Sequence, residues 1–256
     1  MISKILNIKN KKIKSPIICL TAYQKSVAKI LDKYCDIILV GDSLANVLYE
    51  MKDTHKVSLE MMINHAQSVR KGVKNAILVV DMPKNSYKTP SMASKNALKI
   101  IKTAKCDAVK VESNNKNFHI IKHLVKSKIK VMGHIGYTPQ FKKFKVVGKD
   151  NKEKNNLIKE ALNIEKAGAF AIVLECINSS AAKIITNSLK IPTIGIGSSL
   201  NCDGQILVTD DILGLSGFKP KFVKKYLNLN KLIENAVKEY RNDIINKKFP
   251  KKKHSY

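Results

Sequence analysis

The stretch Ile37-Ile38-Leu39-Val40-Gly41-Asp42-Ser43-Leu44 is a run of apolar, mostly β-branched residues that stops abruptly at an acid and a hydroxyl. A continuous apolar run of this length is typical of a strand that is buried on both faces in a parallel sheet. An unpaired carboxylate in such a core costs a large amount of free energy. We therefore expect the Asp42 carboxylate to lie at the exit of the strand, where it faces a cation, a hydrogen-bond donor or a substrate.

The same pattern recurs in four further segments, in which an apolar run ends at a polar side chain. These are 76–80 before Asp81, 108–111 before Glu112, 130–133 before His134, and 170–174 before Glu175. Five strands that deliver polar groups at their carboxyl ends are typical of one shared active site above a parallel barrel. With further strands predicted at 17–23, 192–196 and 205–208 and helical segments between most of them, the sequence predicts a TIM (β/α)8 barrel of the α/β class. The connection between the last two strands is too short for a full helix.

The length of 256 residues and the hydrophobic fraction of 44% fit a single barrel domain over 1–256. A polar lead-in is expected at 1–15, a basic tail at 247–256, and long loops at 46–57 and 136–152.

Lys and Asn interrupt the N-terminal segment, so we expect neither a signal peptide nor a membrane span. The five cysteines form no C-x-x-C pair and are expected to be buried free thiols. Together these features predict a cytoplasmic protein.

The net charge of +27 arises from 47 basic and 20 acidic residues and has two interpretations. It is compatible with a nucleic-acid-binding protein. However, the basic residues are almost all lysines spread along the whole chain, and arginine, the better reader of bases, is nearly absent. We therefore favour a compositional bias towards Lys, Asn and Ile and expect no specific nucleic-acid partner.

The predicted strand ends bring together a cluster of charged side chains. Asp42, Asp81 and Glu112 follow three consecutive strands, and three neighbouring carboxylates repel one another unless a cation lies among them. Oxygen ligands with open positions suit Mg²⁺. Lys110 lies two residues before Glu112, on the same face of its strand, so that metal and ammonium would hold an oxyanion or an enolate. The alternative is that each acid is an ordinary strand-end residue in a salt bridge; five such strand ends together favour a site.

Glu175 ends a strand opposite the metal acids and is the natural general base. His134 either donates to a substrate carboxylate or only supports its neighbours, and both roles stay open.

Two other motifs are weaker. Residues 41–44 spell the Gly-Asp-Ser-Leu of a serine hydrolase family, but that family needs a downstream Asp-x-x-His, and Lys251 lies three residues before His254. His119 and His123 have helical i, i+4 spacing without a third metal ligand nearby.

Taken together, these segments resemble the ketopantoate hydroxymethyltransferase family. The matching pieces occur in family order and are Thr21-Ala22-Tyr23, 39–44, Asp81-Met82-Pro83, 109–112, 133–140, 173–176, 191–197, 202–205 and Pro220-Lys221-Phe222. The resemblance implies a TIM barrel that assembles as a homo-oligomer, a decamer in the family, and that binds 3-methyl-2-oxobutanoate and 5,10-methylenetetrahydrofolate. It implies Mg²⁺ held by Asp42 and Asp81 with Glu112 close by.

The resemblance also implies the chemistry. Ser43, Asp81 and Lys110 would contact the α-keto acid beside the metal-bound Asp42, and Glu175 would be the proton acceptor. The expected reaction is transfer of a hydroxymethyl group through a Mg²⁺-stabilised enolate, which yields 2-dehydropantoate for pantothenate and coenzyme A biosynthesis. The alternative is another Mg²⁺-dependent lyase or aldolase that acts on a different α-keto acid.

The chain departs from the family pattern at several positions around the expected site. The replacements are Gln24, Ala45, Glu50, Lys52, Lys84, Ser113, Asn114, Ser198 and Ser199, several of which stand where the family has glycine. A lost glycine matters wherever the backbone needs a positive φ.

Overall fold

The structure, a computed structural model, describes residues 2–12, 14–217 and 220–256. In these residues eight parallel strands close into a barrel in sequence order, and the last strand pairs with the first. The strands are β1 Ile17–Thr21, β2 Ile37–Val40, β3 Ile77–Asp81, β4 Ala108–Glu112, β5 Val131–Gly136, β6 Ala171–Glu175, β7 Thr193–Ile196 and β8 Gly204–Leu207. The predicted TIM barrel is confirmed.

The described residues also form ten α-helices. They are α1 Ile2–Lys11, α2 Lys25–Leu31, α3 Leu44–Tyr49, α4 Leu59–Arg70, α5 Pro90–Ala104, α6 Phe118–Lys126, α7 Asn151–Lys166, α8 Ser179–Ser188, α9 Thr209–Leu213 and α10 Leu229–Ile245. Short 3₁₀ turns occur at Thr54–Lys56 and Lys252–His254. None of these helices is long and apolar enough to cross a membrane.

The strands are apolar on both faces because they separate two hydrophobic cores. Ile37 and Leu39 belong to the core inside the barrel, whereas Ile38 and Val40 belong to the core between the barrel and its helices. Successive side chains of a strand point to opposite faces, so a strand between two cores must be apolar at every position. This is the reason for the uninterrupted run at residues 37–40.

Helix starts follow the capping chemistry in the sequence. Ser58, the N-cap of α4, accepts a hydrogen bond from the backbone N–H of Met61 through its hydroxyl. Thr89 and Asp150 cap α5 and α7 in the same way. Each cap satisfies one of the backbone N–H groups that lack a partner in the first turn of a helix.

Two expectations about local structure were wrong. The segment 1–15, expected as a polar lead-in, contains helix α1, whose Ile5 and Ile8 are buried against the inner core of the barrel. Their i, i+3 spacing places both on one helix face, which the surrounding lysines obscure in the sequence. The predicted loop 46–57 contains most of α3 and a 3₁₀ turn, because Leu44 and Val47 pack on the outer core with the same spacing.

The seventh and eighth strands are joined without a helix, as the sequence predicted. The barrel nevertheless closes through the pairing of β8 with both neighbours. Gly204 makes this possible, since a Cβ there would lie 2.4 Å from the backbone oxygen of Ile17.

The backbone forms two compact units, one up to Val208 with the whole barrel, and one from Thr209 to Tyr256 with α9 and α10. In the second unit α10 has no buried residue, and the basic tail 247–256 is exposed throughout. All five cysteines are free and buried, as predicted.

Candidate active site

Strand alternation directs the polar residues into the mouth of the barrel. Ala108 of β4 belongs to the inner core, so Lys110 and Glu112 point to the same side. The same parity relates Val79 to Asp81 on β3 and Val173 to Glu175 on β6. These strand ends therefore converge on one site, and Asp42 joins them through its contact with Asp81. The side chains of Asp81, Glu112 and His134 are buried there, whereas Glu175 is partly exposed.

The ion pair between Lys110 and Asp81 lies at the centre of this cluster. The Lys110 ammonium nitrogen is 3.0 Å from Asp81 Oδ1. Burial, against the opposing effect of Lys110, and repulsion from Asp42 together raise the pKa of Asp81 to about 7. Burial alone would lower the pKa of Lys110, but Asp81, Glu112 and Asp42 outweigh it and hold that pKa above its ordinary value. Lys110 is therefore a permanent cation in the barrel mouth.

Asp42 lies beside Asp81 and is held by two contacts. Its backbone N–H donates to Asp81 Oδ2 at 3.0 Å, and its own Oδ2 accepts a hydrogen bond of 2.8 Å from the Gln140 side-chain amide. Ser43 begins α3, and its hydroxyl lies 2.8 Å from the Tyr23 hydroxyl.

His134 is buried between acidic and basic neighbours. Burial and the Lys110 ammonium hold the pKa of His134 well below its ordinary value, so the ring is neutral. Its Nδ1 lies 3.3 Å from Lys110 Nζ and 3.6 Å from Glu112 Oε1. Because an ammonium group only donates, Nδ1 accepts and the ring proton resides on Nε2. Nε2 lies 3.1 Å from Glu175 Oε2, but the two groups are not aligned for a hydrogen bond.

Glu175 has the properties of a proton acceptor near neutral pH. Its side chain keeps 17% of its surface exposed at the end of β6. Burial raises the pKa of Glu175 to about 7, with Lys110 acting in the opposite direction. Gly136 permits this position, because it has φ +99° and a Cβ there would lie 2.1 Å from the Glu175 backbone oxygen.

The acids provide the oxygen donors that a hard divalent cation requires. Among the described residues, no group of three or more His, Cys, Asp or Glu side chains forms a ready-made metal cage. Mg²⁺ is usually held by one or two carboxylates and completes its shell with water or substrate oxygens. The adjacent Asp42 and Asp81 fit that requirement. Repulsion from Asp42 raises the pKa of both Asp81 and Glu112, which shows the negative field that a cation would relieve.

A model of one protein family, described as ketopantoate hydroxymethyltransferase, matches residues 2–252. The chain belongs to this family. A 3-methyl-2-oxobutanoate hydroxymethyltransferase of Pelagibacter ubique is 52% identical over 100% of both chains. A protein of the same name from Campylobacter curvus is 48% identical over 98% of this chain and 95% of the relative. This member of the ketopantoate hydroxymethyltransferase family is therefore an enzyme of the transferase class.

Solved structures show the same fold at low sequence identity. A phosphonopyruvate hydrolase in complex with oxalate and Mg²⁺ has a TM-score of 0.61 at 12% identity and covers 98% of this chain and 93% of its own. A 2,3-dimethylmalate lyase has a TM-score of 0.59 at 12% identity over 97% of this chain and 84% of its own. At such identities the likeness establishes the barrel fold only.

Sequence reasoning missed two members of the site as individual residues. Gln140 and Tyr87 are buried, and the Tyr87 hydroxyl donates a hydrogen bond of 2.5 Å to Gln140 Oε1. Gln140 ends the Gly-Tyr-Thr-Pro-Gln segment after β5. The sequence analysis included it in the family pattern but predicted no contact for it. Tyr87 lies in the connection between β3 and α5, where the sequence analysis placed no site residue.

The departures from the family pattern have distinct structural consequences. Glu50 is the C-cap of α3 at φ 49°, in the left-handed region that favours glycine. Ser113 instead gains a partner, since its hydroxyl donates to the buried Glu160 carboxylate of α7. Ser198 likewise donates to the Leu174 backbone oxygen at 2.7 Å. Only the replacement at Glu50 among these three places a side chain on a left-handed backbone.

The other two motifs did not produce sites. The Ser43 hydroxyl faces Tyr23 and not a histidine. The His119 ring faces the backbone oxygen of Lys116.

Proposed function

We propose that this enzyme transfers a hydroxymethyl group from 5,10-methylenetetrahydrofolate to 3-methyl-2-oxobutanoate, giving 2-dehydropantoate and tetrahydrofolate for pantothenate and coenzyme A biosynthesis. The observation that carries the proposal is Glu175, an acid with a pKa of about 7 in a barrel mouth that also holds a buried cation and paired acids. Family membership over residues 2–252 supports the choice of substrates.

The chain's own residues account for binding and proton transfer. Lys110 and Ser43 contact the carboxylate and keto oxygens of the substrate. Glu175 removes the proton from C3, and the fixed charge of Lys110 stabilises the enolate oxygen that develops. His134, neutral and 3.1 Å from Glu175, limits the positions available to the base. Carbon C3 then bonds to the methylene carbon of the folate as one C–N bond of that carbon breaks and its nitrogen takes up the proton that Glu175 removed. Water displaces the second nitrogen, so that its hydroxyl stays on the new CH₂ group and its proton goes to tetrahydrofolate.

Asp42 and Asp81 are the residues we propose as holders of Mg²⁺, with Glu112 close to it. When bound, the ion supplies Lewis-acid polarisation of the keto oxygen, which acidifies the C3 proton. The cation that these acids would hold and the Lys110 ammonium group would together oppose the negative charge that develops on the keto oxygen.

A cavity of about 250 Å³ near the site is our proposed contact for the folate co-substrate. Its lining, taken over the described residues, has no acid and includes the bases Lys88, Lys116 and His119 together with the rings of Tyr87 and Phe141. A folate carries aromatic rings and, at its glutamate end, carboxylates, which suit such a surface. Replacing Lys88 and Lys116 together by Ala is expected to raise the KM for methylenetetrahydrofolate about threefold to tenfold and leave the exchange rate of the keto acid unchanged.

The alternative, a lyase or aldolase for another α-keto acid, is not favoured, because the relatives that cover the chain carry the transferase name. Because the basic residues are almost all lysines spread along the chain, we attribute the net charge of +27 to composition and expect no specific nucleic-acid partner. We further propose that the enzyme acts in the cytoplasm as a homo-oligomer, a decamer as in the family; size-exclusion chromatography with light scattering tests the assembly.

The decisive experiment is loss of the C3 proton of 3-methyl-2-oxobutanoate, followed by NMR in D₂O with and without Mg²⁺ and without folate. We expect exchange that depends on Mg²⁺. If none occurs, methylenetetrahydrofolate is added to the same sample. Exchange that begins only after this addition means that the base acts in the ternary complex. If the C3 proton still does not exchange, the proposal is overturned. Exchange without transfer to folate would instead support a lyase or aldolase.

A further inference from the structure

Gln140 is a buried side chain that joins three parts of the site. It follows β5, and every polar atom of its side chain has a partner. Nε2 donates to Asp42 Oδ2 at 2.8 Å and to the Met82 backbone oxygen at 3.0 Å, while Oε1 accepts from the Tyr87 hydroxyl. Its backbone N–H donates to Glu112 Oε2 at 3.0 Å. One residue therefore contacts Asp42, which follows β2, and Glu112, which ends β4, and these two strands are not neighbours in the barrel.

These contacts permit only one orientation of the amide. A tyrosine hydroxyl can donate to the amide oxygen, and a carboxylate and a carbonyl oxygen can only accept from the amide nitrogen. Rotating the amide by 180° would place its oxygen against both acceptors and leave three buried polar groups mismatched. Such groups cost free energy when they are unpaired in a core. The two acceptors, Asp42 Oδ2 and the Met82 oxygen, thus fix the orientation of the Gln140 amide, and Tyr87, which donates to Oε1, helps to hold the amide in place against Asp42.

We propose that Gln140 is a positioning residue that orients the Asp42 and Glu112 carboxylates for the cation and the keto acid. The inference rests on the proposed function and deepens it. Because Gln140 occupies Oδ2 of Asp42, the carboxylate cannot rotate freely, and Oδ1 is the oxygen that the amide leaves for a ligand. Partners that orient metal-binding carboxylates typically contribute about 10-fold to 100-fold to metal affinity or activity.

The test compares variants of the full-length protein. Gln140→Leu removes the amide at similar volume but keeps the backbone contact with Glu112. Tyr87→Phe removes only the hydroxyl that donates to Oε1 of the amide. Gln67→Leu, at an exposed glutamine on α4, is the matched control. Mg²⁺ affinity of each protein is measured by calorimetry without substrate, and thermal melting and Mg²⁺-dependent C3 exchange are recorded alongside.

We expect Gln140→Leu to weaken Mg²⁺ binding about 10-fold to 100-fold and Tyr87→Phe to weaken it about twofold to tenfold, with the control unchanged. A purely structural role would lower the melting temperature without changing the affinity of the folded protein. Wild-type Mg²⁺ affinity in Gln140→Leu overturns the inference, and so does a wild-type protein that binds no Mg²⁺. If Gln140→Leu does not fold, the Mg²⁺ affinity of Tyr87→Phe tests the inference instead, and wild-type affinity in that variant overturns it.

Failure of the proposed function is recognised separately. A wild-type protein that binds Mg²⁺ but never exchanges the C3 proton contradicts the transferase proposal. The difference in Mg²⁺ affinity between wild type and Gln140→Leu still decides the role of Gln140 in that case.

Discussion

Asp81 and Lys110 are register partners on the adjacent strands β3 and β4, and their charged groups meet at 3.0 Å inside the barrel mouth. Both side chains are buried, so each charge depends on the other for its stabilisation. Breaking a buried pair from one side typically costs about 3–5 kcal/mol, because the remaining charge is uncompensated. The same ammonium group is the one that we assign to the developing enolate.

Lys110→Met is therefore expected to destabilise the protein by about 3 kcal/mol at pH 8 and to abolish most of the turnover. Adding Asp81→Asn should restore much of the stability, since no unpaired charge remains, but none of the activity. Urea unfolding and C3 exchange measure the two effects. A double variant that regains activity would contradict the role of Lys110, and an unaltered stability of Lys110→Met would contradict the importance of the pair.

Glu175→Gln removes the proton acceptor and keeps its shape. We expect kcat to fall by about 10²–10⁴, with little change in the KM for the keto acid. Glu239→Gln, at an exposed position on α10, is the control for a surface glutamate. Full activity in Glu175→Gln would remove this residue from the mechanism.

The raised pKa of Glu175 also makes a prediction about stability. Its pKa is about 7 in the folded protein and close to 4.5 in the unfolded chain, so the folded state binds the proton more tightly. The stabilisation from this group is complete below about pH 4.5 and is lost as the pH rises through about 7. Metal-free Glu175→Gln should therefore be more stable than wild type at pH 8, by on the order of 2 kcal/mol.

The urea midpoints of wild type and Glu175→Gln, measured in the presence of a chelator from pH 5 to pH 8, test the direction of this pH dependence. The two curves should lie closer together at pH 5 than at pH 8. Curves that stay parallel over the whole range would show that Glu175 does not titrate in this window.

Glu50 holds a left-handed backbone conformation, φ 49°, at the end of α3. Glu50→Gly should raise the free energy of unfolding by about 0.5–1 kcal/mol, because glycine reaches this region without a Cβ penalty. Glu50→Ala, which keeps a Cβ and removes the carboxylate, is the matched control and should bring no such gain. Equal stabilisation by both variants would assign the effect to charge and not to the backbone.

Strand β4 shows most clearly how much of the site the sequence determined. The run 108–112 was placed at its observed bounds, and its alternation put Lys110 and Glu112 on the same face. The five strand ends were found because a buried parallel strand can carry a polar group only at its exit. Helix α1 was missed because burial of Ile5 and Ile8 depends on an inner core assembled from distant strands.

The sequence by itself determined the eight strands, their order, and the strand-end side chains that reach the barrel mouth, because period-two alternation and strand-end polarity are local properties. Only the tertiary structure decided which groups pair there. Gln140 is 98 residues from Asp42 along the chain, yet its amide donates to that acid. The pKa of Glu175 depends on its burial and on Lys110. Hydrogen bonds and field effects act through space, and their strength follows the distances and the exclusion of water that closure of the barrel creates.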